Sequence, residues 1–265
     1  MLEYEAQIRT ISFFTILIVV GLWEVFLPRK NRVASKPVRW LNNLGLTFLN
    51  ALMLRLLFPV LAVGTALLAK EEGWGIGNVF NIPFAIQLVI GVIVLDFLIY
   101  AQHVIFHKVP LLWRLHRMHH IDPDLDVTSG ARFHPVEIGL SMVIKMGFVL
   151  LLGIPAESVL IFELILNASA MFNHGNIFIP LQVDRILRIM IVTPDMHRVH
   201  HSIHREETDT NYGFFLPWWD RFFKTYKGQP KEGHDKMVLG TGYFINSKYL
   251  KLHWLLSIPF LTSKQ

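Results

Sequence analysis

The run HRMHH at residues 116–120 places His116, His119 and His120 within five positions, and HRVHH at 197–201 repeats that spacing with His197, His200 and His201. A third cluster, HVIFH, sets His103 and His107 four apart. Residues three and four apart share one face of a helix, so each cluster aims its ring nitrogens in a common direction. Neutral imidazole is a ligand for zinc, iron, copper and nickel. The chain has no cysteine, which excludes disulfides, iron–sulfur clusters and thiolate zinc sites and leaves nitrogen and oxygen as the only donors for a metal. The three clusters offer eight imidazoles, too many for one ion; two ions with about four nitrogen ligands each use them all. The competing reading is a snorkelling face of His, Lys and Arg beside a membrane. It gives no reason for the same HxxHH spacing to occur twice.

Two further histidines have company. In FNHGN, His174 follows an apolar stretch, where it either completes a coordination sphere or bonds backbone at a helix end. In RFHPVE, His134 precedes a proline and lies three before Glu137, a setting that suits bracing more than ligation. A metal-bound imidazole needs its other ring nitrogen held in place. Glu137, Asp122, Asp195 and Asn173 are plausible partners for that purpose, or else helix caps and surface charges. His204, His234 and His253 stand apart and read as ordinary polar residues.

The elements that must position these side chains are apolar. The chain is 52% hydrophobic with a mean hydropathy of +0.42, the composition of a membrane protein. Its net charge of +5 would suit nucleic acid. The basic residues sit beside apolar spans, however, so an anionic membrane face explains them and no nucleic-acid partner is expected. A spanning helix needs about 20 apolar residues. Residues 10–28 provide one, in an N-terminal segment without a basic leader that reads as a retained helix. Residues 43–69 provide a second, interrupted by Arg55 and Pro59, and 82–102 a third that runs straight into His103. The stretch 137–173 is too long for one crossing, and Gly153 and Pro155 divide it into a hairpin of 137–152 and 156–173. The loop PRKNRVASKPVRW carries five Lys or Arg and no acid, which makes it cytoplasmic and, by counting crossings, puts both HxxHH runs on that same side. YLKLHWLLSIPFL, near the other terminus, is short for a span and predicts an interfacial helix.

Asp96 lies inside the third span, where acids are costly and usually paired. It shares a helix stripe with Tyr100, His103 and His107, and Arg55 lies at a comparable depth. The favoured reading is a structural Arg55–Asp96 ion pair, with contact to the histidine site second. Phe106, Trp113, Phe133, Phe172, Trp218 and Trp219 could line an acyl tunnel, although an interfacial belt or core packing is the better account of any one of them.

The ordered set HVIFH, HRMHH, FHPVE, NHGN, HRVHH resembles the fatty acid hydroxylase/sterol desaturase superfamily of integral membrane proteins. So does ETDTNYGFFLPWWDRFFKTY, through Asn211-Tyr212-Gly213 and Trp219-Asp220-Arg221. The likeness covers about residues 95–226. It implies a non-haem di-iron centre, with O2 as co-substrate, that hydroxylates or desaturates a C–H bond of a membrane lipid such as a fatty acyl chain or sterol. The implied ligands are His103, His107, His116, His119, His120, His197, His200 and His201, with His174 as a ninth. No haem-binding domain accompanies them, so electrons are expected from a separate donor protein, and zinc can replace iron in purified samples. A zinc-dependent membrane hydrolase would carry a carboxylate base as in HExxH, and a metal transporter would place its ligands near the midplane of the spans; neither pattern is present. The expected molecule is an all-α integral membrane bundle of four to five hydrophobic helices with a cytosolic histidine-rich cap. Residues 1–94 supply N-terminal helices and the basic loop, 95–226 the oxidase core, and 227–265 a terminal cap.

Overall fold

Proline and glycine divide the apolar sequence into helices whose lengths match a bilayer. The computed structural model describes residues 1–262. Helix α1 spans Glu5–Phe26, α2 Lys36–Leu57, α3 Ala62–Glu71, α4 Ile76–Val79, α5 Phe84–Lys108, α6 Pro110–His120, α7 Pro135–Leu152 and α8 Ala156–Asn173. Shorter helices α9 (Leu181–Leu187) and α10 (Pro194–His200) follow, and no β-sheet forms among the described residues. Five segments are long and apolar enough to cross a membrane: Leu2–Phe26, Lys36–Val79, Phe84–Lys108, Pro135–Leu152 and Ala156–Asn173.

The second apolar segment is two helices rather than the single interrupted span expected over 43–69. Phe58 is extended (φ −120°, ψ 103°) because it precedes Pro59, and a residue before proline is pushed out of the α region. α3 turns back and packs against α7 and α8. In the hairpin, Gly153 closes α7 in a left-handed conformation (φ 64°) that glycine adopts without strain, and Pro155 precedes α8. Each arm has 18 residues, about 27 Å at 1.5 Å per residue, enough to cross rather than dip. α8 sits centrally against α1, α3 and α5, with Leu95, Val159, Leu160 and Phe162 fully buried among the apolar contacts. α5 has 25 residues, about 37 Å. That exceeds a hydrocarbon core of about 30 Å, so its His103–His107 end reaches the membrane edge.

The histidine-bearing end is closed by the loop 121–134, which has little regular structure and is tied by buried charge. Arg39 of α2 reaches Asp122 through Nε at 2.7 Å and Nη2 at 2.9 Å, reaches Asp126 through Nη1, and gives Nη2 to the Asp124 carbonyl and Ser129 Oγ. Arg132 lies 3.1 Å from Asp122, and all four charged residues, Arg39, Asp122, Asp126 and Arg132, are fully buried. Burial works against the Asp122 carboxylate, but Arg39 and Arg132 more than offset it and hold its pKa below the ordinary value. Asp122 therefore belongs to this tie and not to an imidazole. The loop also lies backbone to backbone on α8, where a Cβ at Gly130 would meet the Ala170 carbonyl oxygen at 2.3 Å. Glu24 near the end of α1 accepts from Val127 N at 2.7 Å and Asn176 N at 3.0 Å, anchoring two cap segments to the bundle.

The stretch expected to be an interfacial helix forms a short helix, Leu252–Ser257, flanked by 3-10 turns at Ser247–Leu250 and Ile258–Phe260, and it clamps the cap. Leu255 and Ile258 are buried against Leu46, Met118 and Ile121. Arg114 and Arg117 donate to the carbonyls of Pro259, Ile258 and Leu261, so backbone hydrogen bonding as well as apolar contact draws the segment inward.

Removing one partner of a buried charge network leaves the others uncompensated, a loss on the order of 3–5 kcal/mol. Arg39→Met should therefore lower the thermal midpoint of the detergent-solubilised protein far more than Arg185→Met, a change at an exposed site. Equal midpoints would show that the Arg39 tie does not hold the cap.

Candidate metal centre

Nine histidines converge at the end of the bundle, each at most 4% exposed. They form two groups, in each of which one ligand atom per residue lies within 4.8 Å of all the others. His103, His107, His116, His120 and His200 make the first, and His119, His174, His197 and His201 the second. The repeated HxxHH spacing is divided between them in opposite senses. The first run sends His116 and His120, one helical turn apart, to the first group and His119 to the second. The second run sends His197 and His201 to the second group and His200 to the first. The pair His103 and His107 on α5 completes the first group, and His174 at the end of α8 completes the second.

Five rings are fixed by a proton they must donate. Nδ1 of His103 bonds the Tyr212 carbonyl at 2.7 Å, of His119 the Arg132 carbonyl at 3.1 Å, of His174 the Ala170 carbonyl at 2.6 Å and of His200 the Thr210 carbonyl at 2.7 Å. Nδ1 of His116 bonds Glu137 Oε1 at 2.7 Å. Carbonyl and carboxylate oxygens accept, so these rings carry hydrogen on Nδ1 and, in the neutral form, a bare lone pair on Nε2. Those bare nitrogens face one another: His103 Nε2 and His116 Nε2 are 3.1 Å apart in the first group, and His119 Nε2 and His174 Nε2 are 3.0 Å apart in the second. Two lone pairs at that distance need a cation between them. His200 Nε2, both ring nitrogens of His107 and His201, and Nδ1 of His120 and His197 are also buried without a hydrogen-bond partner among the described residues. The donor set therefore fits a metal in each group. The 4.8 Å limit is near the diameter, about 4.2 Å, of a sphere of metal–nitrogen bonds.

Burial keeps six of the rings neutral. Desolvation, and then the neighbouring imidazoles, hold His119, His120, His197 and His201 well below the ordinary histidine pKa. Desolvation lowers His174 to about 4 and His200 to about 3, despite the carbonyls that favour their protonated forms.

The segment 210–226 is the main external brace, and one stripe of α5 grips it at three heights. Asp96 Oδ2 accepts from Trp219 Nε1 at 2.8 Å and Leu216 N at 3.3 Å, Tyr100 Oη lies 2.9 Å from Thr225 Oγ1, and His103 bonds the Tyr212 carbonyl. The expected Arg55–Asp96 pair is thus corrected. Arg55 is exposed, whereas the buried Asp96 carboxylate faces the 210–226 segment; equal depth in the bilayer does not put two side chains on facing sides of their helices. Asn211 takes a left-handed conformation (φ 52°) and gives Nδ2 to the carbonyls of Met196 and Lys227, while Asp220 accepts from the backbone of Tyr212 and Gly213.

Other expectations divide. Glu137 does orient an imidazole, and Asn173 holds the Phe214 carbonyl at 2.5 Å. His134 caps α7 by accepting from Val136 N and lies in neither histidine group. Asp195 pairs with Arg29 and Arg198, and lies 3.7 Å from His234 rather than against any of the nine. A cavity of about 440 Å³ opens inside the bundle with His103 and His116 in its wall. Phe106 and Phe133 line it, whereas Phe172 packs in the core, Trp218 bonds the Ile189 carbonyl and Trp219 bonds Asp96. Trp113 lines a second, smaller cavity beside His107. Sequence reasoning missed Arg9, Lys145 and Glu163 in the wall of the larger cavity; charge within an apolar run was the available signal.

The chain is similar to known proteins over somewhat more than half of its length. The chain is 30% identical over 149 residues to an ornithine lipid hydroxylase of Rhizobium tropici, covering 56% of this chain and 44% of that protein. It is 27% identical over 157 residues to the alkylglycerol monooxygenase of Homo sapiens (57% and 32%), and 28% identical over 181 residues to a Delta(7)-sterol-C5(6)-desaturase of Nicotiana tabacum (63% and 61%). The chain thus spans less than half the length of the first two relatives. No solved structure matches it. The fatty acid hydroxylase profile covers residues 88–225, just over half of the 265 residues and all nine histidines of the two groups, and the chain belongs to that family.

Proposed function

We propose that the two imidazole groups hold two metal ions, iron in the working protein, and that the protein uses O2 to oxidise a C–H bond of a membrane lipid, by hydroxylation ahead of desaturation. The observation that carries this reading is the facing of Nε2 atoms in both groups, beside a cavity inside a membrane bundle. The ligands would be His103, His107, His116, His120 and His200 for one ion and His119, His174, His197 and His201 for the other. Bound iron would supply the redox chemistry that no side chain can, since an unactivated C–H bond yields neither to acid nor to base. One oxygen atom would go to the lipid and the other to water, with two electrons and two protons from a separate donor protein.

The residues around the ions have defined tasks. Glu137 and the four carbonyls keep each lone pair aimed inward and fix the tautomer. Phe106, Phe133, Phe214 and Ile99 wall the cavity beside His103 and His116, where they would exclude water and hold an acyl or ring carbon. The basic loop lies at the histidine end, Arg29 N bonding the Asn176 carbonyl at 3.0 Å, and this supports a cytoplasmic metal site. Imidazole sites bind zinc more tightly than ferrous iron, so zinc can occupy them in purified samples.

Cells expressing the protein under 18O2 should accumulate a lipid carrying one 18O, found by mass spectrometry of lipid extracts. His119→Ala and His200→Ala, one from each group, should each abolish it. Full oxidation by either variant would sink the ligand assignment, and unlabelled product would exclude an oxygenase.

The histidine shifts also set a pH dependence. An unfolded histidine titrates near 6.5, but folded His174 does so only at about 4, so below 6.5 the unfolded chain binds more protons than the folded one. Chelator-stripped protein should have its full stability above pH 6.5 and lose it progressively toward pH 4 in a melting series. A midpoint unchanged across that window would contradict the neutral-imidazole description.

A further inference from the structure

Charged side chains inside membrane spans are costly and mark functional paths when they face a cavity. Arg9 of α1, Lys145 of α7 and Glu163 of α8 all line the cavity that reaches His103 and His116. Glu163 lies between the two cations, Oε2 accepting from Arg9 Nη2 at 2.5 Å and Oε1 from Lys145 Nζ. Arg9 Nε also bonds Glu5 Oε1 at 2.8 Å, so two cations meet two carboxylates and the cluster is neutral overall.

A polar stripe joins this cluster to the histidines. On α7, Glu137, Ser141 and Lys145 recur every fourth residue, and all three face the cavity. Glu137, at one end, holds His116. Lys145, at the other, is eight residues away, about 12 Å at 1.5 Å per residue. Ser12 and Asn167 add hydrogen-bonding groups from α1 and α8, while Ile99, Phe106 and Leu164 keep the rest of the wall apolar. Tying three helices together would not by itself require the charges to face an open cavity.

We propose that the Arg9–Glu163–Lys145 cluster binds the polar end of the lipid, and that this end is an uncharged hydroxyl-type group held about 12 Å from the carbon that sits beside His103 and His116. A hydroxyl accepts from the N–H groups that Lys145 does not give to Glu163 and donates to a serine or carboxylate oxygen. A carboxylate end would meet Glu163 and Glu5 with no uncompensated cation to offset them. A hydrocarbon end would leave the polar wall without partners. This assignment rests on the larger cavity being the substrate site, but it concerns binding, which needs no turnover.

The test is equilibrium binding of radiolabelled 1-hexadecanol, hexadecane and palmitate to the full chain in nanodiscs at neutral pH, with metal content measured in parallel. Wild type should bind hexadecanol about tenfold more tightly than either other probe. Glu163→Gln leaves the cluster net positive and should move the preference toward palmitate. Lys145→Met should weaken hexadecanol binding about tenfold and leave hexadecane binding and metal content unchanged. Wild-type binding of the three probes within twofold of one another, or a preference for palmitate, would overturn the proposal even if neither variant folds. A hexadecanol preference in a protein that oxidises no lipid would refute the proposed reaction and leave the binding assignment standing.

Discussion

A neutral imidazole has one proton and one lone pair, and five rings here give the proton outward and point the lone pair inward. The resulting contacts between bare nitrogens, 3.0 and 3.1 Å, are repulsive until a cation lies between them. His119, His174 and His200 cannot relieve that repulsion by taking up protons near neutral pH, because burial disfavours their charged forms. The rings cannot rotate away without breaking hydrogen bonds to backbone carbonyls or, for His116, to Glu137. Much of the cap follows from keeping this arrangement in place. The Arg39 network fixes the loop whose Arg132 carbonyl holds His119, and the α5 stripe fixes the segment whose Tyr212 carbonyl holds His103.

Much of this was legible in the sequence, for identifiable reasons. The HxxHH runs and HVIFH carry helical spacing, and the spacing puts rings on one face whatever the tertiary structure does. Which group each ring joins was not legible, because it depends on how α5, α6 and α10 meet; eight donors shared evenly became five and four with His174 included. The spans were readable from apolar length and from Gly153 and Pro155. Pro59 marks an interruption of an apolar run in the sequence, and in the structure it begins a turn between two helices. The four ring anchors other than Glu137 are all backbone carbonyls, which every residue possesses and no sequence advertises. Arg55 and Asp96 failed as a pair because depth is one coordinate and facing direction another.

The division of labour follows the chain. Residues 88–225, the part shared with the family, contain both histidine groups, the α7–α8 hairpin, Lys145 and Glu163. Arg9 and Ser12 on α1 and Thr47 and Asn50 on α2 complete the cavity wall from outside that stretch. The chemistry would therefore be set by the shared core, with α1 and α2 shaping which lipid fits beside it.

The most direct measurement is metal content per chain, by elemental analysis of detergent-purified protein from iron-supplemented cells after gel filtration. Two groups of facing lone pairs predict about two ions per chain, retained through the column. A single ion, or none, in a folded protein would contradict the central claim, because at least one group would then be holding its nitrogens together without a cation.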